Sequence, residues 1–134
     1  MEVGLEKDIA TAEWKKALIN LVINPICSLL NAENRVVAED PGLWELAGEM
    51  LDEICAVARR DGFSLEDCAR DKLRQSLALH GNNINSTLAD LRAGRKTELD
   101  YMLGRFLRLA RDYGIKTPCC QAIYSLCAQL ENKG

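Results

Sequence analysis

Residues 11–30, TAEWKKALINLVINPICSLL, decide the fold class. Trp14, Leu18, Leu21, Val22, Ile26 and Leu29 recur three or four residues apart, the apolar stripe of a helix with 3.6 residues per turn. Pro25 lies inside that pattern and removes one backbone hydrogen bond, so a kink or a break is expected there. Working outward, residues 31–39 read as a polar connection. A second helix opens with Asp40 as cap and Pro41 in the first turn, buries Leu43, Leu46, Ala47, Met50, Leu51, Ile54, Val57 and Ala58, and ends at Asp61-Gly62. Ser64 and Asp67, an acidic variant of the capping box, lead into Leu65, Cys68, Leu73 and Leu77, and His80-Gly81 closes that helix. Several asparagines offer caps for a short helix over Leu88–Ala93, which Gly94 stops. A long helix from about Glu98 to Tyr113 turns Leu99, Met102, Leu103, Phe106, Leu109 and Ala110 inward, with Gly114 as its C-cap. Thr117 and Pro118 start the last helix, whose stripe is Ile123, Leu126, Cys127 and Leu130. No segment alternates with period two for long enough to make a strand. The expectation is an all-α chain of five to seven helices forming one domain over residues 1–134, without internal repeats.

Composition narrows the function. At 134 residues, 14.9 kDa and 48% hydrophobic, the chain has the size and apolar content for a core, which excludes disorder. Lys+Arg number 17 against 20 Asp+Glu, a net charge of -3, which argues against a nucleic-acid partner because phosphates need a basic surface. No run approaches 18 apolar residues, so no membrane span is expected. The opening MEVGLEKDIATAEW is acidic and lacks the apolar region of a secretory signal, and the expected location is the cytoplasm. Six cysteines (Cys27, Cys55, Cys68, Cys119, Cys120 and Cys127) contain no CxxC pair, and the single histidine, His80, is far from any cysteine pair in sequence. Free thiols and no metal site are expected.

Two polar patterns interrupt this apolar design. Lys16, Asn20 and Asn24 stand at i, i+4 and i+8, one above another on a single helix face. Asparagine is a poor helix former, so two of them in line need a reason. Either the face is solvated and its amides tie down loops, or it is a groove wall whose amides donate and accept while the cation meets an anionic ligand. The second pattern is residues 83–98, NINSTLADLRAGRKTE. Ser86 and Asp90 are one turn apart, and Asp90 is placed to cap or to pair with a cation of the cluster Arg92, Arg95 and Lys96. Glu98 sits where a helix begins, a position the helix dipole favours for any carboxylate, so capping and chemistry are both open for it. There is no nucleophile elbow, no glycine-rich phosphate loop and no GxGxxG fingerprint.

Taken together, WKKALINLVINP at 14–25, Asn34, NSTLADLRAGRKTELDYMLG at 85–104 and GIKTP at 114–118 resemble the C-terminal domain of the ketopantoate reductase (2-dehydropantoate 2-reductase) family, over about Thr11 to Leu130. The resemblance implies a helical domain like the C-terminal domain of 6-phosphogluconate dehydrogenase. It implies an enzyme that reduces 2-dehydropantoate to (R)-pantoate with NADPH on the way to pantothenate, in a cleft against an N-terminal Rossmann domain. It makes Lys16 the catalytic lysine, a general acid toward the carbonyl oxygen. Asn20, Asn24 and Asn34 become substrate-side asparagines, and Ser86 the binder of the substrate carboxylate. Glu98 becomes a catalytic glutamate shared with the nicotinamide side, and Asp90 a structural acid.

The chain departs from that family in carrying no Rossmann domain, so it holds half of an active site, and no tight binding of NADPH to this chain alone is expected. A Rossmann partner in cis or in trans, a small 2-oxo acid and a homodimer are the implied partners. Two alternatives stay open: a non-enzymatic helical self-association module derived from the same fold, and part of a reductase for another small 2-oxo acid.

Overall fold

The structure is a computed structural model that describes residues 2–65 and 69–132, with side chains from Ala10 to Glu131. Its described residues are helical throughout: α1 Glu2–Leu30, α2 Val36–Glu39, α3 Pro41–Arg60, α4 Ala69–His80, α5 Ser86–Arg92, a π-helical turn Asp100–Gly104 running directly into α6 Arg105–Asp112, and α7 Pro118–Asn132. The all-α expectation holds, and among the described residues there is no strand. Asp67 and Cys68 lie outside the described residues.

α1 is the central element, packing against α3, α4, α5, α7 and the π turn. Leu18, Val22 and Cys27 of α1, Met50, Leu51 and Ile54 of α3, Leu73 of α4, Leu103 of the π turn and Cys120 and Cys127 of α7 are completely buried. Each large apolar side chain withdrawn from water in this way contributes about 1.5–3 kcal/mol, which is what holds so long a helix in the middle of the molecule. α1 begins earlier than its apolar pattern and runs through Pro25 without a break. Pro25 is fully buried between core residues on either side, so tertiary packing outweighs the one missing hydrogen bond.

The element boundaries follow local chemistry with four differences from expectation. Asp40 caps α3 as read, its carboxylate accepting from Leu43 N at 2.9 Å. The polar stretch 31–39 contains a single helical turn, α2, pinned by the buried Val37. The long helix expected from Glu98 opens as a π turn, because Gly104 lets the Asp100 carboxylate, held by the Tyr124 hydroxyl of α7, close over it. α7 is capped from another helix: the Glu53 carboxylate accepts from Cys119 N and Cys120 N, each at 2.9 Å. Leu126, placed on the inward stripe of α7 by its spacing, is 56% exposed.

Glu53 and its neighbour Glu49 also decide the thiol chemistry. A helix N-terminus ordinarily favours a thiolate. Here burial, with the two carboxylates beside it, pushes the Cys119 thiol up to about 12. Burial raises Cys27 to about 11 and, with Glu131 nearby, Cys127 to about 12, and it raises Cys120 as well. The attacking species is the thiolate, so at pH 8 fewer than about one in a thousand of these thiols is reactive. Native protein is expected to react with a disulfide reagent such as DTNB far more slowly at Cys27, Cys119, Cys120 and Cys127 than urea-unfolded protein does, read by mass spectrometry. Fast native labelling of Cys119 would contradict the carboxylate account.

Gly81 closes α4. A Cβ there would sit 2.5 Å from the Leu77 carbonyl and 3.1 Å from Arg35 Cβ, and the Gly81 carbonyl itself accepts from Arg35 N at 2.8 Å. The obstacle is backbone and cannot swing aside, so Gly81→Ala is expected to lower the unfolding free energy by about 1–3 kcal/mol in urea titration. A stabilised variant, the usual result of Gly→Ala in an open helix, would contradict this packing.

Candidate active site

The polar stripe runs along α1 from water into the protein. Lys16 is exposed, Asn20 half-buried and Asn24 buried at 5% exposure, each step rising about 6 Å along the axis. One further turn brings Ser28, also buried. The inner half of the stripe is the seam with α5. Asn24 Nδ2 donates to Thr87 Oγ1 at 3.4 Å, and at the far end Arg92 Nε donates to Asn31 Oδ1 at 2.8 Å. Asn31 holds a left-handed backbone, φ 52°, where α1 stops, a conformation asparagine tolerates.

α5 is placed by its cap. The buried Asn85 turns its Oδ1 to Leu88 N at 2.9 Å, which starts the helix at Ser86 and leaves that hydroxyl exposed next to the buried Thr87. Sequence spacing offered several caps here, and the one used is the asparagine directly before Ser86.

Glu98 sits on the segment that joins α5 to the π turn, and both of those elements pack on α1. Its neighbours on each side are fastened to α7. Thr97 Oγ1 donates to the Glu131 carboxylate and accepts from Leu99 N at 3.2 Å, while Asp100 accepts from the Tyr124 hydroxyl. The Glu98 carbonyl accepts from Met102 N at 2.9 Å, an α-type bond where the wide turn begins. Wide π turns are concentrated at functional sites, and this one leaves Glu98 exposed at its mouth. Neither the Lys16 ammonium nor the Glu98 carboxylate forms a hydrogen bond or ion pair among the described residues. Each is a charge free to meet a ligand.

Two of the candidate residues are placed elsewhere. Asp90 pairs with Arg95, Nε to Oδ1 at 3.1 Å, at the end of α5. Asn34 lies beyond the end of α1, on the order of 20 Å along the axis from Lys16. It is buried at 8% exposure, donates from Nδ2 to the His80 carbonyl at 3.3 Å, and bonds through its backbone N to Asn83 O at 3.0 Å. It thereby ties the α1–α2 connection to the end of α4. Among the described residues, the buried atoms Asn34 Oδ1, Asn85 Nδ2 and Ser28 Oγ have no hydrogen-bond partner.

Thr87 was not among the residues singled out from the sequence. A threonine inside a short helix gives no signal until its partner, 63 residues away, is known. A concavity of about 740 Å³ also lies apart from the stripe. It runs along the Trp14, Ala17 and Leu21 side of α1, floored by Phe63, Met102 and Phe106, and shares no residue with the stripe. Trp14 therefore lines a groove, its Nε1 donating to Asp61 Oδ2 at 3.2 Å, while Asp61 also accepts from the Tyr113 hydroxyl.

The donor set fits recognition of a small oxygen-rich anion: one ammonium, two amides and a hydroxyl on adjoining elements. It does not fit a dinucleotide. Pyrophosphate is cradled by glycine-rich backbone between a strand and a helix, and the sequence has no such motif.

The family model described as "Ketopantoate reductase PanE/ApbA C terminal" matches residues 8–131. A 2-dehydropantoate 2-reductase of Pyrococcus abyssi (strain GE5 / Orsay) is 32% identical over 126 residues, 94% of this chain and 42% of that protein. Dimeric ketopantoate reductase from Staphylococcus aureus superposes with a TM-score of 0.83 at 25% identity, covering 93% of this chain and 44% of that one. A D-mandelate dehydrogenase solved with NADH and anilino(oxo)acetate superposes at 0.87 with 22% identity over 94% of this chain and 71% of that one, a likeness of fold. The chain thus spans less than half the length of the curated relatives it matches.

Asn34→Ala removes the side-chain bond to the His80 carbonyl, which keeps only its bond from Asn83 N at 3.1 Å. It is expected to cost about 1–2 kcal/mol of stability in chemical denaturation. An unchanged midpoint would show that the Asn34–His80 bond does not tie these segments together.

Proposed function

This chain belongs to the ketopantoate reductase family by its C-terminal domain, and from that premise we propose that it is the substrate-binding half of an NADPH-dependent reductase that converts 2-dehydropantoate to (R)-pantoate. The observation that carries the reading is the free Lys16 ammonium at the mouth of an asparagine stripe whose inner end is locked to the helix bearing Ser86. On this reading the chain is one helical domain. The dinucleotide is held by a Rossmann domain outside it, and the reducing equivalents come from there.

This chain then supplies recognition and proton delivery. As negative charge develops on the substrate's carbonyl oxygen, Lys16 stabilises it and donates a proton. Asn20 and Asn24 hold the oxygen functions of the substrate through neutral amides, which add no competing charge. Ser86 donates to the carboxylate end. Glu98, free of any ion pair, faces both substrate and nicotinamide sides as the second catalytic group, and Asp90 keeps its place in the Arg95 pair. Asn34, buried and bonded to His80, serves the site as a tie between the segments that flank the end of α1. A homodimer is the proposed assembly, by likeness to the dimeric Staphylococcus aureus protein. Work in pantothenate biosynthesis in the cytoplasm follows from the same reading.

The test is NADPH oxidation by ketopantoate with this chain alone and with a family Rossmann domain added. Turnover is expected only in the mixture. Lys16→Ala in that mixture is expected to lower kcat by about 10²–10⁴-fold. Its thermal midpoint should stay close to wild type, because the side chain is exposed and unpaired. Undiminished turnover in Lys16→Ala would remove the acid role, and a folded mixture without turnover would remove the reductase reading.

A further inference from the structure

α5 is too short to hold its own position. Seven residues make a marginal helix in isolation, and within it only Thr87 and Leu88 are buried. Leu88 contributes apolar contact, which has no preferred direction. Among the described residues, two side-chain bonds tie α5 to α1 and the residue that follows: Arg92 to Asn31 at the exposed end, and Asn24 Nδ2 to Thr87 Oγ1 in the interior, where both partners are at least 95% buried. The interior bond adjoins Ser86 directly.

The same bond constrains Asn24. A carboxamide has a donor end and an acceptor end on opposite edges, and a free one can present either. With Nδ2 engaged by Thr87, Oδ1 is the end left for another donor, such as an alcohol hydroxyl. A hydroxyl at position 87, able to donate or accept, thus holds the Asn24 side chain against α5 and with it the register of the turn that carries Ser86.

We propose that Thr87 is a positioning residue. Its hydroxyl holds the Asn24 side chain and locks α5 onto α1 so that Ser86 is presented beside the Lys16–Asn20 stripe. The locking of α5 stands on the geometry alone, and its consequence for a hydroxylated oxo acid rests on the reductase reading above.

The discriminating pair is Thr87→Val, which keeps the shape and removes the hydroxyl, and Thr87→Ser, which keeps the hydroxyl. Amide hydrogen exchange on this chain reads the lock without any turnover. Thr87→Val is expected to speed exchange across Leu88–Arg92 by about tenfold while the α3 amides keep their wild-type protection, and Thr87→Ser is expected to stay near wild type. Unchanged α5 exchange in Thr87→Val, or equal acceleration in both variants, overturns the proposal, the second outcome showing that protection of α5 does not follow the hydroxyl. In the mixture with a Rossmann domain, Thr87→Val is expected to raise KM for the oxo acid about tenfold, leaving KM for NADPH and the pH profile of kcat in place. An unchanged oxo-acid KM overturns the presentation of Ser86. Should the wild-type mixture fail to turn over, the reductase reading falls, and the exchange pair still decides whether Thr87 locks α5.

Discussion

One constraint governs this molecule: α1 must be buried around most of its circumference and yet remain polar along a single line. Leu18, Val22, Ile26 and Cys27 anchor it in the core, while Lys16, Asn20, Asn24 and Ser28 make the line. An unpaired buried amide costs several kcal/mol by transfer and about 1–3 by mutation, so the buried Asn24 needs a partner. The protein meets this by grading the line. Its outer end stays in water, and its inner end is covered by α5, which brings Thr87 to Asn24. The position of α5, and with it Ser86, is therefore a consequence of hiding the stripe.

The Glu98 side is built differently. Two bonds to α7, from Thr97 and to Asp100, hold the flanks of Glu98, and the π turn widens the backbone beside it. α7 is itself held at its start by Glu53 of α3. The Glu98 side is thus supported by the last helix of the chain, which also packs against α1.

Much of this was legible in the sequence because it rests on local rules. The 3.6-residue period of α1, the Asp40-Pro41 start of α3, the His80-Gly81 end of α4 and the stop at Gly94, with φ 72°, all follow from short-range chemistry. The aligned Lys16, Asn20 and Asn24 stood out because asparagine is disfavoured in a helix. What could not be read depended on distant partners. The passage of α1 through Pro25 is decided by packing around it. The cap of α7 is a glutamate 66 residues earlier in the chain, where local reasoning looked to Thr117. Leu126 kept the inward spacing yet faces out, because spacing gives a period and leaves the edge of the buried face to neighbouring helices. Thr87 carried no local mark at all.

The central claim is that this chain by itself holds the surface that recognises a small hydroxylated acid, and that the stripe, not the larger groove beside Trp14, is that surface. Titration of pantoate into isotopically labelled chain, followed by NMR, tests it most directly, since the side-chain amides of Asn20 and Asn24 and the indole N–H of Trp14 are separate signals. The account predicts saturable shifts at the Asn20 and Asn24 amides and at Ser86, with the Trp14 indole unmoved. Shifts confined to Trp14 and its groove, or none at the stripe at saturating pantoate, would contradict it.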